Sequence, residues 1–364
     1  MTKAYSLIIC VAILFLIGSL MVYNTTSAEI IDKSLNLALN TSFFKQLTYA
    51  LIGLAFSFMI LKVGVDQVFI RSGWIYLVLC LLLIAVFIPG IGMQLNGAKR
   101  WIRVFGLSFQ PSEFMKIFLP IFLIRQMLLK PICSLRDFLK IMTYIIPPMF
   151  LILLEPDNGT FVIIMATILV LLYLFQVNKK YWLLPCFIMI AVACSIAINM
   201  PHVMNRIEIY IHPEKDLLGK GHQPYQAKIA VGSGQWLGRG MGQSLQKLTY
   251  LPEARSDYIA AIFAEEFGFL GCLVLISLYF LLAWIGTMIA LESKRQEGFY
   301  LGIILVFLIS FQVFLNLGVV SGLLPSKGTN LPFFSQGGSS LVANFLAIAL
   351  LFSIASKYRV QAHE

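Results

Sequence analysis

The longest apolar stretch in the chain reads Ile259-Ala-Ala-Ile-Phe-Ala-Glu-Glu-Phe-Gly-Phe-Leu-Gly-Cys-Leu-Val-Leu-Ile-Ser-Leu-Tyr-Phe-Leu-Leu-Ala-Trp-Ile-Gly-Thr-Met-Ile-Ala-Leu291. A helix needs about 20 mostly apolar residues to cross the hydrocarbon core of a bilayer, and this stretch exceeds that length. It follows directly on Tyr250-Leu-Pro-Glu-Ala-Arg-Ser-Asp257-Tyr258, so a carboxylate lies where the helix is expected to begin. A charged group at the mouth of a membrane helix is costly to place, and it indicates a functional site.

The whole chain has the composition of an integral membrane protein. Hydrophobic residues make up 59% of its 364 residues and charged residues 12%. Soluble domains average about 45–50% hydrophobic residues and about 25% charged residues. We therefore expect one polytopic membrane domain over residues 1–364. The net charge of +10 is explained by basic residues at the membrane edges, near anionic lipid head groups, and no nucleic-acid partner is expected.

Ten segments are apolar and long enough to predict an all-α bundle of about ten transmembrane helices. The predicted spans are residues 5–23, 43–61, 73–90, 111–128, 138–154, 160–177, 182–200, 259–291, 299–321 and 339–356. Residues 201–257, between the seventh and eighth spans, are predicted to form one large loop. This loop contains a candidate amphipathic helix, Pro224–Val231, and a stretch with five glycines, Gly232–Gly242, that permits close backbone approach.

The distribution of Lys and Arg over the short loops predicts the orientation, because basic loops stay on the cytoplasmic side. With the N-terminus inside, the inner connections hold Lys3, Lys62, Arg71, Arg125, Lys130, Arg136, Lys140, Lys179, Lys180, Lys294, Arg295, Lys357 and Arg359. An even number of spans returns the C-terminus to the same side. Both termini are therefore predicted to be cytoplasmic, and the loop 201–257 is predicted to be extracytoplasmic.

A short outer segment, Gly90–Gln110, carries basic residues against this rule. Its basic residues and the aromatic residue between them are Lys99, Arg100, Trp101 and Arg103. Lys327, in the irregular segment Leu324–Ser340, is another outward cation. Because a guanidinium fork matches phosphate oxygens, these residues indicate an anionic ligand at the outer surface. A simple anchor to lipid head groups is the alternative for the first segment.

Asp257 has two interpretations, which are compatible with each other. It, or Ser256, is a helix cap that accepts from the free amides of the next turn. Alternatively it is a general base or a metal ligand, kept ionised by the helix N-terminus. Glu265 and Glu266, about two turns further on, cannot both face lipid cheaply, so at least one is expected to face the bundle interior.

The fourth predicted span begins Gln110-Pro-Ser-Glu-Phe-Met-Lys116 and places Glu113 and Lys116 three residues apart on one helix face. An ion pair inside the membrane indicates function, and a structural pair that lets the helix insert is the equal alternative. The sequence Glu155-Pro-Asp-Asn-Gly-Thr160 is typical of a tight turn with caps between two spans.

Together these segments resemble the SEDS family (shape, elongation, division and sporulation), whose members include RodA, FtsW and SpoVE. The resemblance covers nearly the whole chain, through Asn96–Lys116, Pro156–Thr160, Gln246–Gly268 and Asn316–Ser340 in family order. Asn96-Gly before the basic-Trp pair, and the stretch Gly240–Ala254, are more similar to FtsW than to RodA.

The resemblance implies a peptidoglycan glycosyltransferase that polymerises lipid II at the outer face of the bacterial cytoplasmic membrane, with a tilt toward septal synthesis in cell division. It implies a class B penicillin-binding protein as partner, together with membrane proteins of the divisome or elongasome. The family's essential acid falls on Asp257, its basic-Trp motif on Arg100 and Trp101, and its fourth-span pair on Glu113 and Lys116. A divalent cation, Mg²⁺ or Mn²⁺, is also implied. Since no dedicated ligand motif is visible, we expect substrate phosphates to carry it.

Two other functions stay open on the sequence. A lipid II flippase would use Glu113 and Lys116 rather than Asp257. A non-catalytic scaffold for the penicillin-binding protein would tolerate neutral substitution at both charged sites.

The chain departs from the family pattern in several places around these motifs. Glu155 stands where Gln is usual before Pro-Asp, and Arg255-Ser-Asp-Tyr258 replaces His-Thr-Asp-Phe. Thr329 and Asn330 replace Leu and Thr, and Gln336 replaces Tyr. The changes at these last three positions put the geometry of the final outer segment in question, while the acid at Asp257 is retained.

Overall fold

The computed structural model describes residues 2–33, 41–95, 98–104, 106–198, 204, 208, 210, 221–247, 254–326 and 328–360. The long helices are α1 (Thr2–Lys33), α2 (Thr41–Val63), α3 (Val65–Ala85), α4 (Pro111–Leu129), α5 (Leu135–Leu154), α6 (Asn158–Leu174), α7 (Lys179–Ile198), α9 (Ile259–Leu291), α10 (Gln296–Val320) and α11 (Gly338–Val360). A shorter helix, α8 (His222–Ser233), covers the predicted amphipathic segment. Lys327 and, within the loop 201–257, residues 201–203, 205–207, 209, 211–220 and 248–253 lie outside the described residues.

The all-α membrane class is confirmed. Each predicted span falls on one of the ten long helices. Within the described residues, seven of them (α1, α2, α3, α5, α9, α10 and α11) are long and apolar enough to cross a membrane. The helix α6 is apolar but shorter, and α4 contains Glu113, Lys116 and Arg125.

The third helix begins earlier than predicted. Gly64 alone separates α2 from α3, so the helix starts at Val65 rather than at residue 73. The hydropathy of the sequence hides these first two turns because Asp66 and Arg71 lie in them. Asp66 accepts a hydrogen bond from Arg295 at 3.0 Å, which compensates its charge.

Three short strands that the sequence did not predict lie between α3 and α4. They are β1 (Gly92–Leu95), β2 (Ala98–Val104) and β3 (Leu107–Phe109), paired antiparallel in the order β1-β2-β3. Strand β3 is fixed to the bundle at Ser108, whose amide donates to Tyr49 Oη at 2.8 Å. Ser339 Oγ donates to the carbonyl of Ser108 at 3.2 Å and accepts from the amide of Gln110 at 2.9 Å. The sheet is therefore tied to α2 and to the start of α11, and we call this end of the bundle the sheet end.

The centre of the bundle is formed by α10 and α11, which bury most of their side chains. Helix α11 packs against α2, α10 packs against α9 and α6, and α4 packs against α3. These buried faces are almost entirely aliphatic and aromatic. The polar exceptions on α10 are Gln312 and Asn316, which are 2% and 1% exposed and point to a site at the sheet end.

Helix α9 is interrupted at Gly268. Residues of the stretch Gly232–Gly242, which we call the glycine-rich loop, form hydrogen bonds on both sides of the interruption. Gly268 has φ 66° and ψ −163°, a backbone conformation that is essentially restricted to glycine. The amides of Phe269 and Leu270, which a continuous helix would bond to the carbonyls of Glu265 and Glu266, donate instead to loop carbonyls. Four backbone bonds replace the two lost ones: Phe269 to Gln235 (2.8 Å), Leu270 to Trp236 (3.2 Å), Arg239 to Glu265 (3.0 Å) and Gly240 to Glu266 (3.0 Å). The amides of Phe269 and Leu270 and the carbonyls of Glu265 and Glu266 are thus all satisfied.

The side chains of Glu265 and Glu266 hold the same loop from within the bundle, and each residue is 1% exposed. Glu265 accepts from Ser244 Oγ at 2.5 Å and from the amide of Leu245 at 3.2 Å. Glu266 pairs with Lys247 Nζ at 3.0 Å. Both carboxylates are therefore internal, and the expectation that at least one faces the interior is met.

Candidate active site

Asp257 lies half-buried at the sheet end, two residues before the first residue of α9. Asn316 Nδ2 donates to its backbone carbonyl at 2.9 Å. Its carboxylate Oδ2 faces Gly328, where an added Cβ would lie 3.2 Å from that oxygen. The carboxylate is thus held close to the final irregular segment, within reach of solvent.

Two buried amides of α10 fix that segment against the helix bundle. Asn316 Nδ2 donates to the carbonyl of Thr329 at 2.6 Å, and Gln312 Nε2 donates to the carbonyl of Asn330 at 2.8 Å. Gln312 was not among the predicted site residues, although two amide side chains four residues apart in an apolar helix are a recognisable signal. These two side chains connect the segment to both Asp257 and the interior.

The predicted pair of α4 is present and buried. Lys116 Nζ lies 2.5 Å from Glu113 Oε2 and donates to Gln312 Oε1 at 2.9 Å. The side chain of Lys116 is 1% exposed and that of Glu113 is 14% exposed. The pair therefore reaches Asn330 through Gln312, so one polar chain joins α4, α10 and the final segment.

Replacing Lys116 by Met should lower the free energy of unfolding by about 3–5 kcal/mol, because it leaves a buried carboxylate without its counter-charge. The double variant Lys116→Met/Glu113→Gln should recover most of this loss. Denaturant unfolding in detergent measures both values. A single variant within about 1 kcal/mol of wild type would show that the buried pair does not stabilise the fold.

Strand β2 is irregular at Arg100, because Met93 of β1 pairs with Trp101 while Gln94 pairs with Lys99. Burial and contacts separate the predicted basic cluster: Lys99 and Arg103 are exposed, and Trp101 is half-buried. Arg100 is half-buried, and its Nε donates to the carbonyl of Glu155 at 3.0 Å. Its Nη2 donates to the carbonyl of Pro156. Arg100 thus closes the C-terminal end of α5, while Lys99 and Arg103 are accessible to a ligand.

The turn between α5 and α6 has the predicted caps. Asp157 Oδ1 accepts from the amide of Thr160 at 3.3 Å and lies 3.8 Å from Arg100 Nη1. Its Oδ2 accepts from Ser112 Oγ and from Gln110 Nε2, both at 2.9 Å. Asp157 is 2% exposed, so it joins the starts of α4 and α6 to β2 from within the protein.

The α5–α6 turn also touches the segment that faces Asp257. An added Cβ on Gly159 would lie 3.0 Å from Thr329 Cγ2 and 3.4 Å from the carbonyl oxygen of Gly328. A continuous series of contacts therefore runs from Arg100 through Asp157 and Gly159 to Gly328 and Asp257.

Three residues that depart from the family pattern, Arg255, Tyr258 and Gln336, have side-chain hydrogen-bond partners among the described residues. The hydroxyl of Tyr258 lies 2.8 Å from Ser326 Oγ. Arg255 Nη1 donates to Ser42 Oγ at 3.2 Å, and Gln336 Nε2 donates to the carbonyl of Ser42 at 3.4 Å. The amide of Gln336 donates to the carbonyl of Arg255 at 3.0 Å. Two residues that depart from the family pattern, Arg255 and Gln336, thus both donate hydrogen bonds to Ser42 on α2.

The donors near Asp257 suit a hard cation. Among the described residues, no group of three or more His, Cys, Asp or Glu could hold a metal ion. Asn316 Oδ1 and Thr329 Oγ1 are nevertheless buried without a hydrogen-bond partner, and both are oxygen donors of the kind that Mg²⁺ accepts. With one carboxylate, this set fits an ion that takes its remaining ligands from substrate phosphates and water.

The fold and the site define a multi-pass membrane protein with ionisable groups gathered at one end of an all-α bundle. The chain belongs to the FtsW/RodA/SpoVE family, whose model, described as cell cycle protein, matches residues 4–360.

Relatives agree with this assignment, and solved structures share the fold. The chain is 35% identical to stage V sporulation protein E of Bacillus subtilis, over 97% of this chain and 96% of that protein. It is 36% identical to a probable peptidoglycan glycosyltransferase FtsW of Hahella chejuensis, over 86% and 81%. The fold matches a chain of a peptidoglycan synthase complex with TM-score 0.79 at 24% identity, over 97% and 98%. It matches the rod shape determining protein RodA of Thermus thermophilus with TM-score 0.71 at 23% identity, over 97% and 96%.

Proposed function

We propose that this chain is a peptidoglycan glycosyltransferase that polymerises lipid II at the outer face of the bacterial cytoplasmic membrane. The observation that carries the proposal is the position of Asp257, half-buried against Gly328 and tied by Asn316 to the segment that closes the site. The names of relatives that match most of the chain support the same activity. The similarity to FtsW favours a role in septal wall synthesis.

In this mechanism Asp257 is the general base. The acceptor hydroxyl gives its proton to the Asp257 carboxylate while its oxygen forms a bond to the anomeric carbon of the donor sugar. The bond between that carbon and the pyrophosphate oxygen breaks, and the lipid-linked pyrophosphate leaves. Lys99 and Arg103 are exposed cations that can bind this group, and Lys327 is expected to assist.

Asp257, with Asn316 Oδ1 and Thr329 Oγ1, would hold a divalent cation that is shared with the substrate phosphates. Such an ion stabilises negative charge on the leaving pyrophosphate when it is bound. We further propose a class B penicillin-binding protein as partner, supported by the similarity to a chain from a peptidoglycan synthase complex.

The test is polymerisation of purified lipid II by the detergent-purified protein with its cognate transpeptidase and Mg²⁺, read out as glycan strands on a gel. We expect strands whose formation stops when EDTA removes the cation. Head-group translocation in vesicles without strands would favour a flippase instead. Neither strands nor translocation, with transpeptidase binding intact, would favour a scaffold, provided that a polymerising relative is active in the same assay.

A further inference from the structure

Glu155 is a carboxyl group that the proposed mechanism leaves without a task. It follows the last residue of α5 directly and has no exposed surface, and both carboxylate oxygens are buried without a hydrogen-bond partner. A buried ionised carboxylate in this state is very costly, because nothing replaces the water that it loses. A protonated carboxyl group costs much less to bury, because it carries no net charge.

Among the described residues, the charged neighbours of Glu155 offer no counter-charge of its own. Asp157 repels an ionised Glu155, and Arg100 attracts it but is already close to Asp157. On α4, Glu113 and Lys116 pair with each other. On α3, α5 and α7, the charged residues of the described chain lie in the first two turns, at the opposite end: Asp66, Arg71, Arg136, Asp137, Lys140, Lys179 and Lys180.

A metal ion is a poor counter-charge at this position. Asp157 is the acidic neighbour of Glu155, and both Asp157 oxygens already accept hydrogen bonds from Gln110, Ser112 and Thr160. A proton therefore satisfies Glu155 more simply than a cation. In agreement, burial, followed by the repulsion from Asp157, raises the pKa of Glu155 from its ordinary 4.5 to about 9.

We propose that Glu155 works as a neutral carboxylic acid that positions the Arg100–Asp157 contacts, and that its ionisation in alkaline solution inactivates the site. An ionised Glu155 competes with Asp157 for Arg100, whose guanidinium holds the carbonyls of Glu155 and Pro156. Movement of the turn reaches Thr329 through Gly159, and from there Gly328 and Asp257. Glu155 is thus a positioning residue, and this part of the inference rests on the proposed function.

The protonation is tested without any activity assay, by thermal unfolding of wild type and Glu155→Gln between about pH 5 and pH 10. Between about pH 4.5 and about pH 9 the folded protein keeps the Glu155 proton while the unfolded chain loses it, so wild-type stability falls as pH rises through this range. The Gln side chain has the same shape and no charge. The Tm difference in favour of Glu155→Gln should therefore be small at the acid end, grow up to about pH 9 and stay constant above.

The matched control is Glu292→Gln, which removes an exposed carboxylate that pairs with Lys3. Its Tm difference from wild type should not follow that curve. Equal pH profiles for wild type and Glu155→Gln would overturn the proposal that Glu155 is neutral.

The positioning role is tested by the rate of lipid II polymerisation at two pH values. One unit above its pKa, roughly a tenth of Glu155 stays protonated, so the alkaline-to-neutral rate ratio should be up to about tenfold higher in Glu155→Gln than in wild type. Equal ratios, together with different stability profiles, would keep the neutral acid and overturn its positioning role. If wild type forms no strands at any pH, the proposed function and the positioning role fail, while the unfolding experiment still decides the protonation.

Discussion

Replacing Asp257 by Asn should reduce the rate of lipid II polymerisation by about 10²–10⁴-fold, the usual contribution of a general base. Asn keeps the shape of the side chain but cannot take a proton from the acceptor hydroxyl. The hydrogen bond from Asn316 goes to the backbone carbonyl of residue 257, so it should persist. Glycan strand synthesis is measured beside the yield of inserted, monodisperse protein.

The matched control is Asp66→Asn, which removes a half-exposed carboxylate that pairs with Arg295 away from the sheet end. We expect it to polymerise at nearly the wild-type rate. Polymerisation by Asp257→Asn at the wild-type rate would contradict the role of Asp257 as base. It would return attention to the flippase and scaffold alternatives.

Replacing Gly268 by Ala should lower the free energy of unfolding by at least about 5 kcal/mol, the largest stability effect that we expect here. The φ of 66° with ψ of −163° is strained for any other residue. An added Cβ would also lie 2.3 Å from the amide nitrogen of Gly238, so the loop must move away. Its four backbone bonds to α9 would then be lost or weakened.

Gly232→Ala is the control for this variant. Gly232 lies in α8 with nothing within 4 Å of an added Cβ, so the same substitution should be neutral or slightly stabilising. Denaturant unfolding in detergent measures both variants. A Gly268→Ala protein as stable as Gly232→Ala would mean that the loop does not hold α9.

Features that depend on one helix were predictable from the sequence. The apolar segments fixed the positions of the long helices, and the spacing of Glu113 and Lys116 predicted a pair that the structure places at 2.5 Å. The glycines between residues 232 and 242 predicted close backbone approach, which the structure shows at Gly234 and Gly238. Each of these inferences needs only local spacing and residue type.

Features that join distant parts of the chain were not predictable from the same patterns. The strands β1–β3 are too short to show a clear alternation, and the pairing of β1 with β2 is irregular at Arg100. The direction of the Arg100 side chain depends on a strand that was not predicted. Lys99, Arg100, Trp101 and Arg103 were therefore interpreted as one cluster. The contact of Gly159 with Thr329 joins turns that are far apart in sequence. The substrate roles of Lys99, Arg100, Trp101, Arg103, Glu113, Lys116 and Lys327 stay predictions.

The break at Gly268 divides α9 into a part that can cross the membrane and a part that leads to the site. A continuous helix of 33 residues would be roughly 50 Å long, well beyond the roughly 30 Å of bilayer hydrocarbon. The part after Gly268, residues 269–291, is alone about 34 Å long and can cross the bilayer without help. The first part, residues 259–267, is surplus to that task. Its axis can therefore be oriented by contacts at the site, next to Asp257. The second part can be oriented independently, as crossing the bilayer requires.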